Sequence, residues 1–137
     1  MKETKGPIFS WAVLSLVFGL AIVPAATGAA EPWKAPAEAK GYQNTIAPSA
    51  QSIAAGKALF LKFCTRCHGE DGSGKGPTAL SLNVIPADFR DKARMNQADG
   101  ELAWKILSGR DVMPSWAPVL QEEQVWNLVN YIRQFAK

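Results

Sequence analysis

Both cysteines of the chain and its single histidine fall within five residues, Cys64-Thr65-Arg66-Cys67-His68. Two thiols three positions apart, with an imidazole directly after the second, match the covalent attachment site of a haem, where each sulfur forms a thioether to a vinyl group. The spacing has a physical reason. One turn of chain carries both sulfurs to one porphyrin edge and turns the next side chain under its plane, so that the imidazole meets the iron.

Three plainer readings compete. A thioredoxin-like dithiol would use Cys64 and Cys67, but that motif follows a buried strand in an alternating strand and helix pattern, and here an amphipathic helical pattern leads in. A structural zinc site needs four ligands, and beyond position 68 the chain has no further Cys or His. A plain disulfide suits an oxidising compartment but leaves the adjacent His68 without a role.

If His68 takes one axial position, the other falls to a different side chain, to water or to nothing. With no second histidine, and with Met1 in the leader, Met95 and Met113 remain. Met95 sits in a charged stretch without a constraining proline and reads as a surface or core methionine. Met113 stands in Asp111-Val112-Met113-Pro114-Ser115-Trp116-Ala117-Pro118, a loop stiffened by two prolines. The residue before a proline is pushed to extended geometry, which fixes Met113 well enough to aim a thioether at one point. Histidine plus methionine would saturate the iron and leave it little chemistry but a change of valence. A neutral thioether raises the potential relative to a second imidazole, and burial among apolar residues acts in the same direction.

The elements that must position these groups are legible as helical patterns. Ser49 is placed to cap a helix from Ala50 whose Ile53, Gly56, Phe60 and Phe63 recur at three and four residues and which delivers Cys64. Glycine inside a helix costs about 1 kcal/mol against alanine, so Gly56 implies close approach of another backbone, expected to be that of the last helix. Gly69 to Pro77 is a glycine-rich loop; it lacks the Gly-Lys-Ser/Thr sequence of a phosphate-binding loop, because Gly76 follows Lys75. Ile85-Pro86-Ala87-Asp88-Phe89 reads as scaffold, with Asp88 a cap for the charged segment to Arg94. Asp99 is the expected cap of a helix turning Leu102, Ala103, Ile106 and Leu107 inward and closed by Gly109, with Trp104 on its flank. Val125, Leu128, Val129, Ile132 and Phe135 form a final helical stripe, with Glu122 and Glu123 in its first turn.

The first 30 residues combine Lys2 and Lys5, an apolar run from Ile8 to Val23, and small residues ending at Ala30. They read as a signal peptide cleaved before Glu31, or, the run being slightly long for that, as an uncleaved membrane anchor. Residues 31–48 are rich in Ala, Pro and Lys without periodicity: a disordered linker, or a strap that folds back through Trp33 and Tyr42. The domain proper is 49–137. Of 15 basic and 12 acidic side chains, cleavage removes Lys2, Lys5 and Glu3, leaving 13 against 11, a net of +2 that two haem propionates would cancel. A near-neutral holoprotein with no basic run interleaved with aromatics gives no reason to expect nucleic acid.

From about residue 49 to 137 the chain resembles the class I c-type cytochromes, specifically the small single-haem periplasmic proteins of bacteria. The resemblance rests on Cys64 to His68 followed by Gly69, on Gly76-Pro77, on Met113-Pro114 with Trp116, and on Trp126-Asn127-Leu128-Val129-Asn130-Tyr131-Ile132. It implies an all-α fold of three to five helices around one covalently attached haem c, with the first and last helices crossed where Gly56 and Phe60 meet Leu128 and Tyr131. It also implies that the Pro77 carbonyl receives the free imidazole proton of His68, and that Trp104 and Trp116 line the haem or bond a propionate, unless they are ordinary core aromatics.

The function so implied is single-electron transfer between larger redox proteins, an oxidase, reductase or dehydrogenase, in the periplasm. It is not enzymatic, and Lys57, Lys62, Arg66, Lys75 and Arg110 are candidates for a steering rim. Two alternatives stay open: a five-coordinate sensing or catalytic haem in which Met113 merely packs, and an inner-membrane-anchored subunit of a respiratory complex.

Overall fold

The computed structural model describes residues 32–136; the expected leader or anchor over 1–30 lies outside them. Five α-helices follow in order: α1 (Ala50–Phe63), α2 (Thr65–His68), α3 (Lys92–Met95), α4 (Asp99–Ser108) and α5 (Glu122–Ile132). Short 3-10 turns form at Ala37–Gly41, Ala79–Ser81 and Arg133–Ala136, and no strand occurs among the described residues. The all-α expectation holds. No helix among the described residues is long and apolar enough to cross a membrane.

Helix α1 begins where Ser49 and Ser52 exchange hydrogen bonds, each side-chain oxygen accepting from the other's backbone N–H at 3.1 Å. It crosses α5 at Gly56. A Cβ there would run into the Asn127 carbonyl and come within 2.9 Å of Tyr131 Cβ, so only glycine lets the two backbones meet. One turn on, Phe60 is fully buried, its ring 5.4 Å from that of Tyr131 and 5.3 Å from that of Phe135. Val125, Leu128, Val129 and Ile132 complete the α5 face as the pattern indicates, each burial contributing roughly 1.5–3 kcal/mol. The helix is buried beyond that stripe, for Trp126, Asn127 and Asn130 are also buried.

Two caps differ from expectation. Asp91, not Asp88, caps the short α3 by accepting from the N–H groups of Ala93 and Arg94. Ala98 stands at the start of α4, its N–H bonded to Glu101 at 2.8 Å, while Asp99 inside the helix holds Arg133 at 2.7 Å. The reason is competition: Arg133 also donates to the carbonyls of Met95 and Gln97, and a carboxylate inside that cluster neutralises a half-buried guanidinium.

From Trp33 on, the strap belongs to the same compact unit as the helices. Ala39 is fully buried, and its carbonyl lies against Gly100 of α4. Asn44 donates to Asn130 (2.8 Å) and Asp99 (3.2 Å), and Asn130 in turn donates to the Ile46 carbonyl (3.0 Å) and Ser52 Oγ (3.2 Å). The strap is thus tied to α1, α4 and α5 by satisfied polar groups.

Candidate functional site

Cys64 terminates α1, and α2 is the single turn that carries Cys67 and His68. The N–H groups of Cys67 and His68 both bond to the Cys64 carbonyl, at 3.3 and 2.9 Å. The glycine loop then folds back over this turn and takes up the carbonyls left open at its end: Gly74 N–H donates to His68, Gly76 to Cys67 and Thr78 to Arg66, at 2.8–3.0 Å. Gly76 has no Cβ because one would collide with the Arg66 and Thr65 carbonyls. Gly76 therefore serves close packing on α2, while Gly69, Gly72 and Gly74 supply the positive φ angles that fold the loop back.

Both cysteines are free thiols, half-buried. Burial, with the neighbouring Cys67 adding to it, pushes the Cys64 thiol up to about 12. Burial also lowers the pKa of His68, against a smaller opposing effect of its backbone hydrogen bond, so its imidazole is neutral at pH 7. His68 Nδ1 lies 3.1 Å from the Ala87 carbonyl. A carbonyl only accepts, so Nδ1 carries the proton and Nε2 presents its lone pair.

The acceptor expected at Pro77 is therefore at Ala87. Between Gly76 and Pro86 the chain swings outward, leaving Leu80 101% and Ile85 95% exposed, and Pro77 ends on the outer surface of the loop. The chain returns at Ala87-Asp88-Phe89, where Phe89 N–H bonds to the Gly72 carbonyl (2.8 Å) and Arg90 clamps Asp88 (2.9 Å) and Asp71 (3.1 Å). Phe89 stacks on His68 with ring centroids 4.6 Å apart and planes 22° from parallel. The sequence reading gave Ala87 and Phe89 a scaffold role only, whereas here they contact the imidazole directly. A main-chain acceptor has no side-chain signature, but an aromatic three residues after Pro86 is the signal that was present.

On the far side, Met113 is held by a two-residue turn. Its N–H and carbonyl exchange bonds with those of Arg110, both at 2.9 Å, and Asp111 adopts φ 54°. The chain beyond it covers the end of α4, with Trp116 and Ala117 N–H groups on the Ile106 and Leu107 carbonyls at 3.2 and 3.3 Å. Cys64, His68 and Met113 line one cavity, walled by Phe60, Phe63, Phe89, Ile106, Trp116 and Leu128 among others. Among the described residues, no charged side chain lines it.

Trp116, 5.1 Å from Phe63, belongs to this wall. Trp104 does not. Its ring stands edge-on to Trp33 of the strap at 6.4 Å, because the α4 face that carries it turns toward the strap while Ile106 faces the cavity. Cys67 and Pro77 are also outside the cavity lining; the Cys67 sulfur lies 3.5 Å from Thr78 Oγ1.

The donor set fits a covalently held haem: Cys64, an imidazole with Nε2 unprotonated and a thioether face one apolar space, and Cys67, outside its lining, stands one helical turn from Cys64. It does not fit a bare metal ion, since no group of three or more His, Cys, Asp or Glu side chains converges among the described residues.

Residues 51–132 match the family described as cytochrome c oxidase, cbb3-type, subunit III. Among characterised proteins, the cytochrome c6 of Chlorolobion braunii is 30% identical over 86 residues, which cover 58% of this chain and 86% of that protein. The cytochrome c6 of Synechococcus sp. is 26% identical over 83 residues, 61% of this chain and 70% of that one. Of solved structures, the c-type cytochrome KustC0563 superposes with a TM-score of 0.52 at 28% identity, covering 60% of this chain and 98% of its own. The reducing HAO-like protein complex Kustc0457/Kustc0458 of Kuenenia stuttgartiensis gives a TM-score of 0.61 at 24% identity over 70% of this chain and 50% of the other, a likeness of fold.

Proposed function

This chain belongs to the c-type cytochromes, in the family of the cbb3-type oxidase subunit III domain, and from that premise we propose that it carries single electrons between larger redox proteins through a haem ligated by His68 and Met113. Covalent haem c is what the family and the cytochrome c6 relatives imply. Cys64 and Cys67 are its thioether sites in this reading, Trp116 a wall of its pocket, and the periplasm its compartment. The single observation that supports the reading best is that Cys64, His68 and Met113 face one uncharged cavity.

When bound, the haem supplies a reversible one-electron change at iron. The rest is the work of the chain. His68, with Nδ1 bonded to Ala87, directs Nε2 inward and gains basicity from that contact. Phe89 holds the ring in its plane. Met113, its backbone paired with that of Arg110, would offer its thioether sulfur to the iron. The aromatic wall excludes water and so disfavours additional charge, raising the potential. Exposed Lys57, Lys62, Arg66 and Lys75 would steer an acidic partner; Arg110 is engaged with Asp111 and Trp33 instead.

The test is to express the chain with a functioning haem-ligation apparatus and take the spectrum of the secreted product. A red holoprotein whose ferric form has the weak red-edge methionine–iron band is expected, with the band lost and carbon monoxide bound in Met113→Ala. A colourless product refutes the haem, and a wild type that binds carbon monoxide readily refutes the Met113 ligand in favour of a five-coordinate haem. A second reading, a component fixed in a respiratory complex, draws on the family's description as an oxidase subunit; an intact N-terminus on the exported protein would support it.

A further inference from the structure

We propose that Trp33, in the strap ahead of the first helix, is a positioning residue that holds the Met113 turn in ligating geometry; this rests on Met113 being the second axial ligand. The turn carries an intrinsic weakness. Asp111 sits at φ 54° without being glycine, and such a backbone persists only where its surroundings over-determine it. The paired bonds between Arg110 and Met113 are one restraint. Another runs through the Arg110 side chain, whose Nε is 3.2 Å from Asp111 Oδ2 while its guanidinium carbon lies 5.1 Å from the centre of the Trp33 ring. The guanidinium therefore bridges the strained tip of the turn and an indole from a segment 77 positions earlier in the chain.

That indole is itself fixed. Trp104 stands edge-on to it at 6.4 Å, Lys105 Nζ approaches its ring to 5.8 Å, and the strap behind it is anchored by buried Ala39 and by Asn44. A tryptophan between two cations is the ring type that holds a cation best. A disordered linker would have no use for this arrangement. Removing the ring takes away one hold on the guanidinium, so that the turn relaxes from its left-handed residue and the thioether leaves the iron more often.

The test uses ferric holoproteins and measures cyanide binding, which requires the methionine to step aside, together with the red-edge band. A surface cation–π contact corresponds to about a two- to fivefold change in such an equilibrium. Trp33→Ala is expected to bind cyanide about two to five times faster than wild type at unchanged helix content, with Trp33→Phe between the two. Arg110→Gln is expected to show the same acceleration, and Trp33→Ala added to it to give no further increase. An unaltered rate in Trp33→Ala, or full additivity in the double variant, overturns the proposal while leaving Met113 as ligand. A wild type without the band that binds cyanide as fast as Met113→Ala overturns it at the ligand itself. If Trp33→Ala fails to mature, Trp33→Phe and Arg110→Gln with their double variant carry the same comparison.

Discussion

Replacing Gly56 by alanine tests whether the crossing of α1 and α5 positions the haem-binding turn. An alanine Cβ would lie 2.9 Å from Tyr131 Cβ and overlap the Asn127 carbonyl, which is backbone and cannot swing away. Relief requires the helices to separate by a substantial fraction of an ångström. A gap of about 0.5–1 Å forfeits a quarter to a half of each contact it opens, and the contacts opened are those of Phe60 with Tyr131 and Phe135. Overpacking of this kind costs about 1–3 kcal/mol, against which the better helix propensity of alanine returns about 1 kcal/mol. A clash with backbone falls in the upper half of that range, so the net expectation is a loss of about 1–2 kcal/mol, each kcal/mol being worth roughly 4–8 °C in melting temperature for a domain of this size. Because Cys64 ends the displaced helix, the change reaches the site as well. Guanidinium unfolding of the holoprotein, followed in parallel by far-ultraviolet dichroism and haem absorbance, measures it. A midpoint equal to or above wild type would show that the helices are not in contact at Gly56 and would refute the reasoning.

Further expectations concern the polar clamps. Hydrogen bonds from Arg90 hold Asp88 well below its ordinary value near 3.8, at about 2. A depressed carboxylate contributes stability above its unfolded pKa and loses it as pH falls through the folded one. Acid titration of the loop should therefore show its loss between about pH 4 and 2, and Arg90→Ala, which returns the carboxyl toward its ordinary value, should abolish that pH-dependent loss; an unchanged acid limb would count against the clamp. Arg133→Ala strips donors from the Met95 and Gln97 carbonyls and leaves Asp99 without its charge partner, so destabilisation of about 2–3 kcal/mol is expected in denaturant titrations. Arg133→Lys should recover only part of it, since the bonds run from three separate nitrogens of one planar fork. Phe89→Ala should cost about 3 kcal/mol, the low end for a phenylalanine because this one is only partly buried, with the visible spectrum of the haem broadened or shifted as His68 loses its stacking partner; an unchanged spectrum would assign Phe89 to packing alone.

The local features of this chain were legible without coordinates because each depends on neighbours within a turn or two. The thiols and imidazole of Cys64 to His68, the Ser49 cap, the inward stripe of α5 and the restraint on Met113 by Pro114 are of that kind. Gly56 was legible too, since a glycine inside an otherwise sound helical pattern requires a backbone close by. Tertiary structure alone decided which distant group meets which. The imidazole proton of His68 goes to Ala87, 19 positions on, and Trp104 meets the strap's Trp33 while Trp116 faces the cavity. Asp99 serves Arg133 instead of capping its own helix. Main-chain carbonyls look alike in every residue, and a carboxylate or an indole will serve several partners equally well. What selects among them is the path of the intervening loop and the burial of the competing group, and both are set only once the helices have packed.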